Sequence, residues 1–207
     1  MKNKLIKING ISHTYDEKNY VLKNINLEIY ENEIIALFGP SGSGKSTLLH
    51  IMGNLMKPVS GNIEYQYKPI NLKTGFIFQS FNMIKELTLY ENIKIAQLKR
   101  GYDEDNEIYV FAERTGVSEY LGKYPSEVST GQLQRAALIR AVVGKTETVL
   151  CDEPTGALDT ENKINLMKII SELSSERTFF IVSHDNIIKD YCDRVIMIKD
   201  GEITQEV

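Results

Sequence analysis

Two stretches of the 207-residue chain hold residue types and spacings suited to phosphate chemistry. The first is Gly39, Pro40, Ser41, Gly42, Ser43, Gly44, Lys45, Ser46 and Thr47. A glycine, four intervening residues and then Gly-Lys-Ser is the phosphate-loop pattern. Glycines let successive backbone N–H groups turn inward on a polyphosphate, and the start of a following helix adds partial positive charge. In that pattern Lys45 sits on the outer phosphates and Ser46 binds Mg2+. The second stretch ends in Asp152 and Glu153, two carboxylates closing the apolar run Thr148 to Asp152. Side chains on a strand alternate between faces, so the two acids leave in different directions and serve different tasks. One carboxylate can hold Mg2+ through water, and the next can take a proton from an attacking water.

The phosphate pattern requires a strand before it and a helix after it. Both are legible, as the apolar "EIIALF" (Glu33 to Phe38) and the helical "TLLHIMGNLM". Further strand-length apolar runs are "GFIFQ" (Gly75 to Gln79), "TVLCD" (Thr148 to Asp152), "TFFIVSH" (Thr178 to His184) and "RVIMI" (Arg194 to Ile198). Apolar throughout, they read as strands buried on both faces of a mainly parallel sheet flanked by helices, an α/β architecture. Asp200 and Gly201 supply a hairpin turn after the last run. Before Glu33, "KLIKI", "SHTY" and "INLEI" alternate apolar with polar and predict an antiparallel lobe exposed on one side. Residues 80–127 carry no strand signal, and patches such as "NEIYVFAERTG" read as a helical insertion; the acids from Asp103 to Glu107 read as a solvated helix start. In "VSTGQLQR", Ser129 and Gln132 fit a capping box. The apolar spacing after it predicts a helix with one packed face.

Composition bounds the function. The 42% hydrophobic and 25% charged residues describe an ordinary globular chain, predicted here as a single domain. Net charge is −4, from 24 Lys+Arg against 28 Asp+Glu, so there is no basic field for nucleic acid. The first residues lack the apolar core of a signal peptide, and no apolar run reaches membrane-helix length. These features predict a cytosolic protein. Cys151 and Cys192 suit a reducing compartment and have no Cys or His neighbour at zinc spacing. His13 and His50 read as packing or surface residues.

The motifs, in this order, strongly resemble the nucleotide-binding subunit of ATP-binding cassette (ABC) transporters. Gly39 to Thr47 matches Walker A, Gln79 the Q-loop, "VSTGQ" the signature, "TVLCDE" Walker B with its glutamate, "GALD" the D-loop, and His184 in "IVSHD" the switch histidine. The resemblance spans nearly the whole chain. It implies a P-loop NTPase fold, with residues 1–79 and 128–207 as the nucleotide-binding core plus antiparallel β lobe and 80–127 as a helical subdomain. It implies ATP and Mg2+ as ligands, with Ser46, Gln79 and Asp152 serving the metal, Glu153 orienting or activating water, His184 on the γ-phosphate and Tyr15 stacked on adenine. It further implies an ATP-closed homodimer, or a heterodimer with a second ATPase subunit, in which Ser129, Gly131 and Gln132 face the partner's nucleotide and Asp159 crosses the interface. The usual signature is LSGGQ; Thr130 replaces a glycine. If that position needs positive φ, threonine is strained there; if it needs only room, the extra methyl and hydroxyl crowd the γ-phosphate or donate to it. With the other motifs intact, an active but slower ATPase is predicted.

"GFIFQSFNMIKELTLYENI" and "DEPTGALDTE" resemble the bacterial group of macrolide and antimicrobial-peptide exporters, lipoprotein-releasing ATPases and the cell-division ATPase. That implies a permease in a separate chain, and a place on the inner face of the cell membrane. Gly61 to Gln79 is short for the group, which implies loss of the helix preceding the Q-loop. Two alternatives stay open: a non-transport ABC ATPase, and an ATP-binding regulatory module with impaired turnover.

Overall fold

The apolar runs form the middle of one sheet in the computed structural model of the protein, which describes residues 3–67 and 73–206. They become β3 (Ile34–Phe38), β5 (Thr74–Ile77), β6 (Thr148–Asp152), β7 (Thr178–Ser183) and β8 (Arg194–Lys199), with β9 (Glu202–Glu206) outermost. The order is β5-β6-β7-β3-β8-β9, and only β9 runs antiparallel to its neighbour. Alternation explains the unbroken apolar runs. Ile34, Ala36, Phe38, Val149, Cys151, Phe179 and Ile181 enter one core, while Ile35, Leu37, Leu150, Phe180, Val182 and Ile196 enter another on the opposite face. The β8–β9 hairpin turns through Asp200 (φ 50) and Gly201 (φ 83), the positive pair that a tight two-residue turn demands.

A second sheet, ordered β2-β1-β4, is antiparallel and covers one face of the first. It contains β1 (Lys4–Thr14), β2 (Tyr20–Tyr30) and β4 (Ser60–Tyr65). "KLIKI" and "SHTY" are therefore one strand, with shifted register between Ile8 and Ile11 and again near His13. β4 was not legible in the sequence, because no side chain in this edge strand is fully buried and its apolar alternation is weak. Boundaries differ at four of the predicted strands: β7 stops at Ser183, one short of His184, and β8 runs on to Lys199. β5 ends at Ile77, leaving Gln79 in the following turn, and β3 begins at Ile34. Glu33 lies just before β3 as a buried ion-pair partner of Arg194, at 2.8 Å.

Among the described residues the α-helices of eight residues or more are α1 (Lys45–Met52), α2 (Leu89–Lys99), α3 (Asp105–Thr115), α4 (Thr130–Val142) and α5 (Thr160–Leu173). Thr88 with Glu91 and Ser129 with Gln132 cap α2 and α4 as complete capping boxes, and Asp159 caps α5. Asp105 opens α3 and pairs with Lys94, as a solvated helix start would. The prediction of one packed face on α4 needs correcting. Ala136, Ala137, Leu138, Ile139, Ala141 and Val142 are all buried, because β5, α2 and α3 surround its C-terminal half. Among the described residues no helix is long and apolar enough to cross a membrane. The expectation of a missing helix before Gln79 falls largely on residues 68–72, outside the described residues.

Candidate active site

β3 delivers the chain into the phosphate loop and α1 leads it out. Gly44, which precedes α1, has φ 98, and a Cβ there would lie 2.6 Å from both Val21 O and Leu22 Cδ2. Glycine is thus needed for backbone conformation and for room against β2. No side chain caps α1, so its first backbone N–H groups are left without side-chain acceptors. Lys45 Nζ folds back on the carbonyls of Gly39 (2.9 Å) and Pro40 (3.0 Å). Ser43 Oγ is buried without a hydrogen-bond partner. Open N–H groups at the start of α1 and a buried ammonium beside them form a cradle that fits a polyphosphate.

The two acids at the end of β6 do diverge. Asp152 Oδ1 accepts a hydrogen bond from Ser46 Oγ at 3.0 Å. Burial lifts its carboxyl above the usual range, against the pull of the Ser46 hydrogen bond and the charges of His50 and Lys45. A hydroxyl and a half-buried carboxylate beside the cradle are the hard oxygen donors that Mg2+ takes, so these residues fit that ion. Glu153 turns away with φ 49, a left-handed conformation costing about 1 kcal/mol in a non-glycine residue. Its N–H donates to Val182 O (2.9 Å), which fixes that turn. The carboxylate oxygens are both engaged: Oε2 accepts from Ser183 Oγ at 3.0 Å and Oε1 lies 2.8 Å from His184 Nδ1.

These groups converge on one cleft of about 500 Å3. Tyr15, Ser41, Gly42, Gly44, Lys45, Ser46, Thr47, Gln79, Asp152, Glu153 and His184 all line it. Tyr15 is 64% exposed; its hydroxyl lies 3.0 Å from Thr47 Oγ1 and its ring packs edge-on to His13, centroids 4.9 Å apart. Gln79 starts a turn in which Phe81 (φ 60) and Asn82 (φ 48) are both left-handed. Arg140 of α4 donates to both carbonyls, at 2.6 Å for Asn82.

Ser129, Gly131 and Gln132 do not line the cleft. They sit at the start of α4, with Ser129 and Thr130 exposed and Gly131 buried. Thr130 is the first helical residue and is not among those with positive φ, so the strain considered for threonine there does not arise.

Three positions escaped the sequence reading. Ser183 holds Glu153, Arg140 holds the turn after Gln79, and Asp185 accepts from Thr155 Oγ1 (3.2 Å) while pairing with Lys163 (2.7 Å). A signal existed for Arg140, a lone cation inside the apolar "AALIRAVV" that had to find acceptors.

Comparison with known proteins agrees with this geometry. The ABC transporter family profile matches residues 22–156. The macrolide export ATP-binding/permease protein MacB of Agrobacterium fabrum is 35% identical over the whole chain, which spans about 35% of that relative's length. An uncharacterized ABC transporter ATP-binding protein of Bacillus subtilis, YvrO, is 34% identical, with 96% of this chain and 95% of the relative covered. Among solved structures, the dimeric cassette MJ0796 of Methanocaldococcus jannaschii superposes with a TM-score of 0.88 at 32% identity, covering 98% of each chain. The same cassette in a post-hydrolysis state with ADP and Pi also scores 0.88. A phosphate cradle, a divergent carboxylate pair and a histidine in one cleft, on a fold shared over nearly its full length, make this chain a member of the ABC transporter family: an ATP-binding cassette that hydrolyses ATP.

Proposed function

We propose that the chain drives a separate membrane permease by closing, on ATP, against a second cassette. The observation that carries this reading is the incompleteness of the cleft. It gathers Lys45, Ser46, Gln79, Asp152, Glu153 and His184, yet Ser129 and Gln132 lie outside it on an edge of the same protomer. A two-fold arrangement lets each edge complete the other protomer's site. The serine hydroxyl and the N-terminal N–H groups of α4 then serve the phosphates bound opposite, and Asp159 lies at the interface. The dimeric form of MJ0796 supports that arrangement.

In the closed site Lys45 exchanges its loop carbonyls for the outer phosphates, and the adenine ring stacks on Tyr15. Ser46 and Asp152 would hold Mg2+, with Gln79 lining the same cleft, and the bound ion would supply charge that neutralises the phosphate oxygens. Glu153 takes the proton of the water attacking the γ-phosphorus as the bond to the β,γ-bridging oxygen breaks, giving ADP and phosphate. His184 donates to the γ-phosphate through Nε2, the ring nitrogen that Glu153 does not hold.

The helical segment 80–127 borders a second cleft of about 290 Å3, with Leu55, Phe76, Phe78 and Ala96 beside Lys99, Arg100 and Arg140. An amphipathic cytoplasmic segment of the permease would fit here and hold the cassette at the inner face of the membrane. Peptides, antimicrobials or lipoproteins exported from the cell are the proposed substrate class; the name of the MacB relative, a macrolide exporter, supports export of an antimicrobial. No nucleic-acid partner is proposed, in keeping with the net charge of −4.

The test is Glu153→Gln, which should cut phosphate release by about 10²-fold or more and leave ATP bound. Its mass in solution should shift from monomer to dimer with Mg·ATP. A protein that binds ATP, shown by a separate titration, and stays monomeric contradicts the reading.

A further inference from the structure

Gly131 is buried in the isolated protomer, so something of this chain already occupies its face. That group is the amide of Asn162, in the first turn of α5. A Cβ on Gly131 would lie 2.7 Å from Asn162 Oδ1 and 3.0 Å from its Cγ. The amide is fixed at both ends. Arg135, on the turn of α4 after Gly131, donates to Oδ1 at 3.3 Å, and Nδ2 donates to Asp159 Oδ2 at 2.9 Å. The Asn162 N–H also donates to Asp159 Oδ1 at 2.9 Å. A guanidinium only donates and a carboxylate only accepts, so the two partners set the amide's orientation between them.

We propose that Asn162 is a positioning residue that joins the Ser129–Gly131 turn and the Asp159 turn of one protomer into a single edge. Both turns then meet the second protomer's nucleotide as one body. The inference rests on the two-cassette reading above and adds a different reason for the glycine. Gly131 is required in cis, by the flush amide of Asn162, and what remains exposed toward a partner is Ser129 and Thr130. Asn162 touches neither nucleotide nor water in this scheme. It acts through Gly131, Arg135 and Asp159.

Two measurements on the Glu153→Gln protein test this. The first is thermal unfolding without nucleotide. Gly131→Ala alone should lower the melting temperature by about 3 °C through the clash. In the Asn162→Ala background the same change should raise it, because alanine outranks glycine in a helix once the amide is gone. The second is ATP-driven dimerisation. Asn162→Ala should leave the protomer's affinity for a fluorescent ATP analogue unchanged while raising the Mg·ATP concentration for half-maximal dimer about fivefold, the ratio that goes with one exposed hydrogen bond. A Gly131→Ala penalty of the same sign in both backgrounds, or an Asn162→Ala protein that dimerises like its parent, overturns the proposal. A parent that binds the analogue and never dimerises removes the two-cassette reading and the positioning role with it, and the thermal cycle then still reports whether the contact in cis exists.

Discussion

Tyr15 is held at two points, by its hydroxyl on Thr47 and by the edge of His13, and its ring stays largely open to solvent. Stacking of a base on such a face is worth about 1–3 kcal/mol. Tyr15→Ala should therefore weaken ATP binding about tenfold, while Tyr15→Phe, which keeps the face and loses only the hydroxyl, should bind within about twofold of the parent in a nucleotide titration. Equal losses in the two variants would assign the effect to the Thr47 hydrogen bond. Lys45, Ser46, Asp152 and Glu153 were readable from sequence because their chemistry demands fixed residue types at fixed spacing beside a strand end. Ser183 was not. Its importance lies in a hydrogen bond to Glu153, a partner 30 positions away, and an isolated serine at the end of an apolar strand says nothing about where its hydroxyl points.

Among the elements, α4 ties distant parts of the chain together. Its N-terminus presents Ser129 and Thr130, and near its C-terminus Arg140 grips the two left-handed carbonyls that follow Gln79. Burial lowers the Arg140 pKa, and among the described residues no carboxylate pairs with it; backbone carbonyls carry the compensation. Arg140→Met keeps the length and apolar stem but removes these charge-assisted bonds. It should cost about 2 kcal/mol of stability, measured by denaturant unfolding, and should speed amide exchange selectively at residues 81–83. Uniform exchange across the chain would argue for a general packing role instead. The central strands were legible because both faces are buried, which leaves a continuous apolar run. β4 and the burial of the C-terminal half of α4 on more than one face were not, since one is an exposed edge strand and the other depends on how many neighbours surround the helix.

At the scale of the whole molecule, electrostatics predict an acid limit. Lys4 holds Glu28 below the usual carboxylate range, backbone N–H groups do the same for Glu91 and Asp159, and Lys94 does so for Asp105. For each, the folded pKa lies below the unfolded one, so the stabilisation is complete above about pH 5 and is lost as pH falls through the folded values. Asp152 has the opposite sign, because burial raises its pKa and the folded state gains when it is protonated. With Asp16, Glu31 and Asp185 also lowered, seven carboxyls against one among the described residues give a melting temperature that drops steadily below about pH 4.5, which thermal unfolding across a pH series would show; a rise on acidification there would contradict it. Mechanically, the two cores share one sheet, and α4 runs beside it from the edge of the protomer to the turn after Gln79. Thirteen helical residues make a rod about 20 Å long. If such a rod pivots at one end by about 5°, the other end travels nearly 2 Å, enough to make or break a hydrogen bond. In the proposed two-cassette arrangement, a contact made at the partner's nucleotide would thus be delivered as displacement at the turn after Gln79, with the helix serving as a lever arm and Arg140 as its grip.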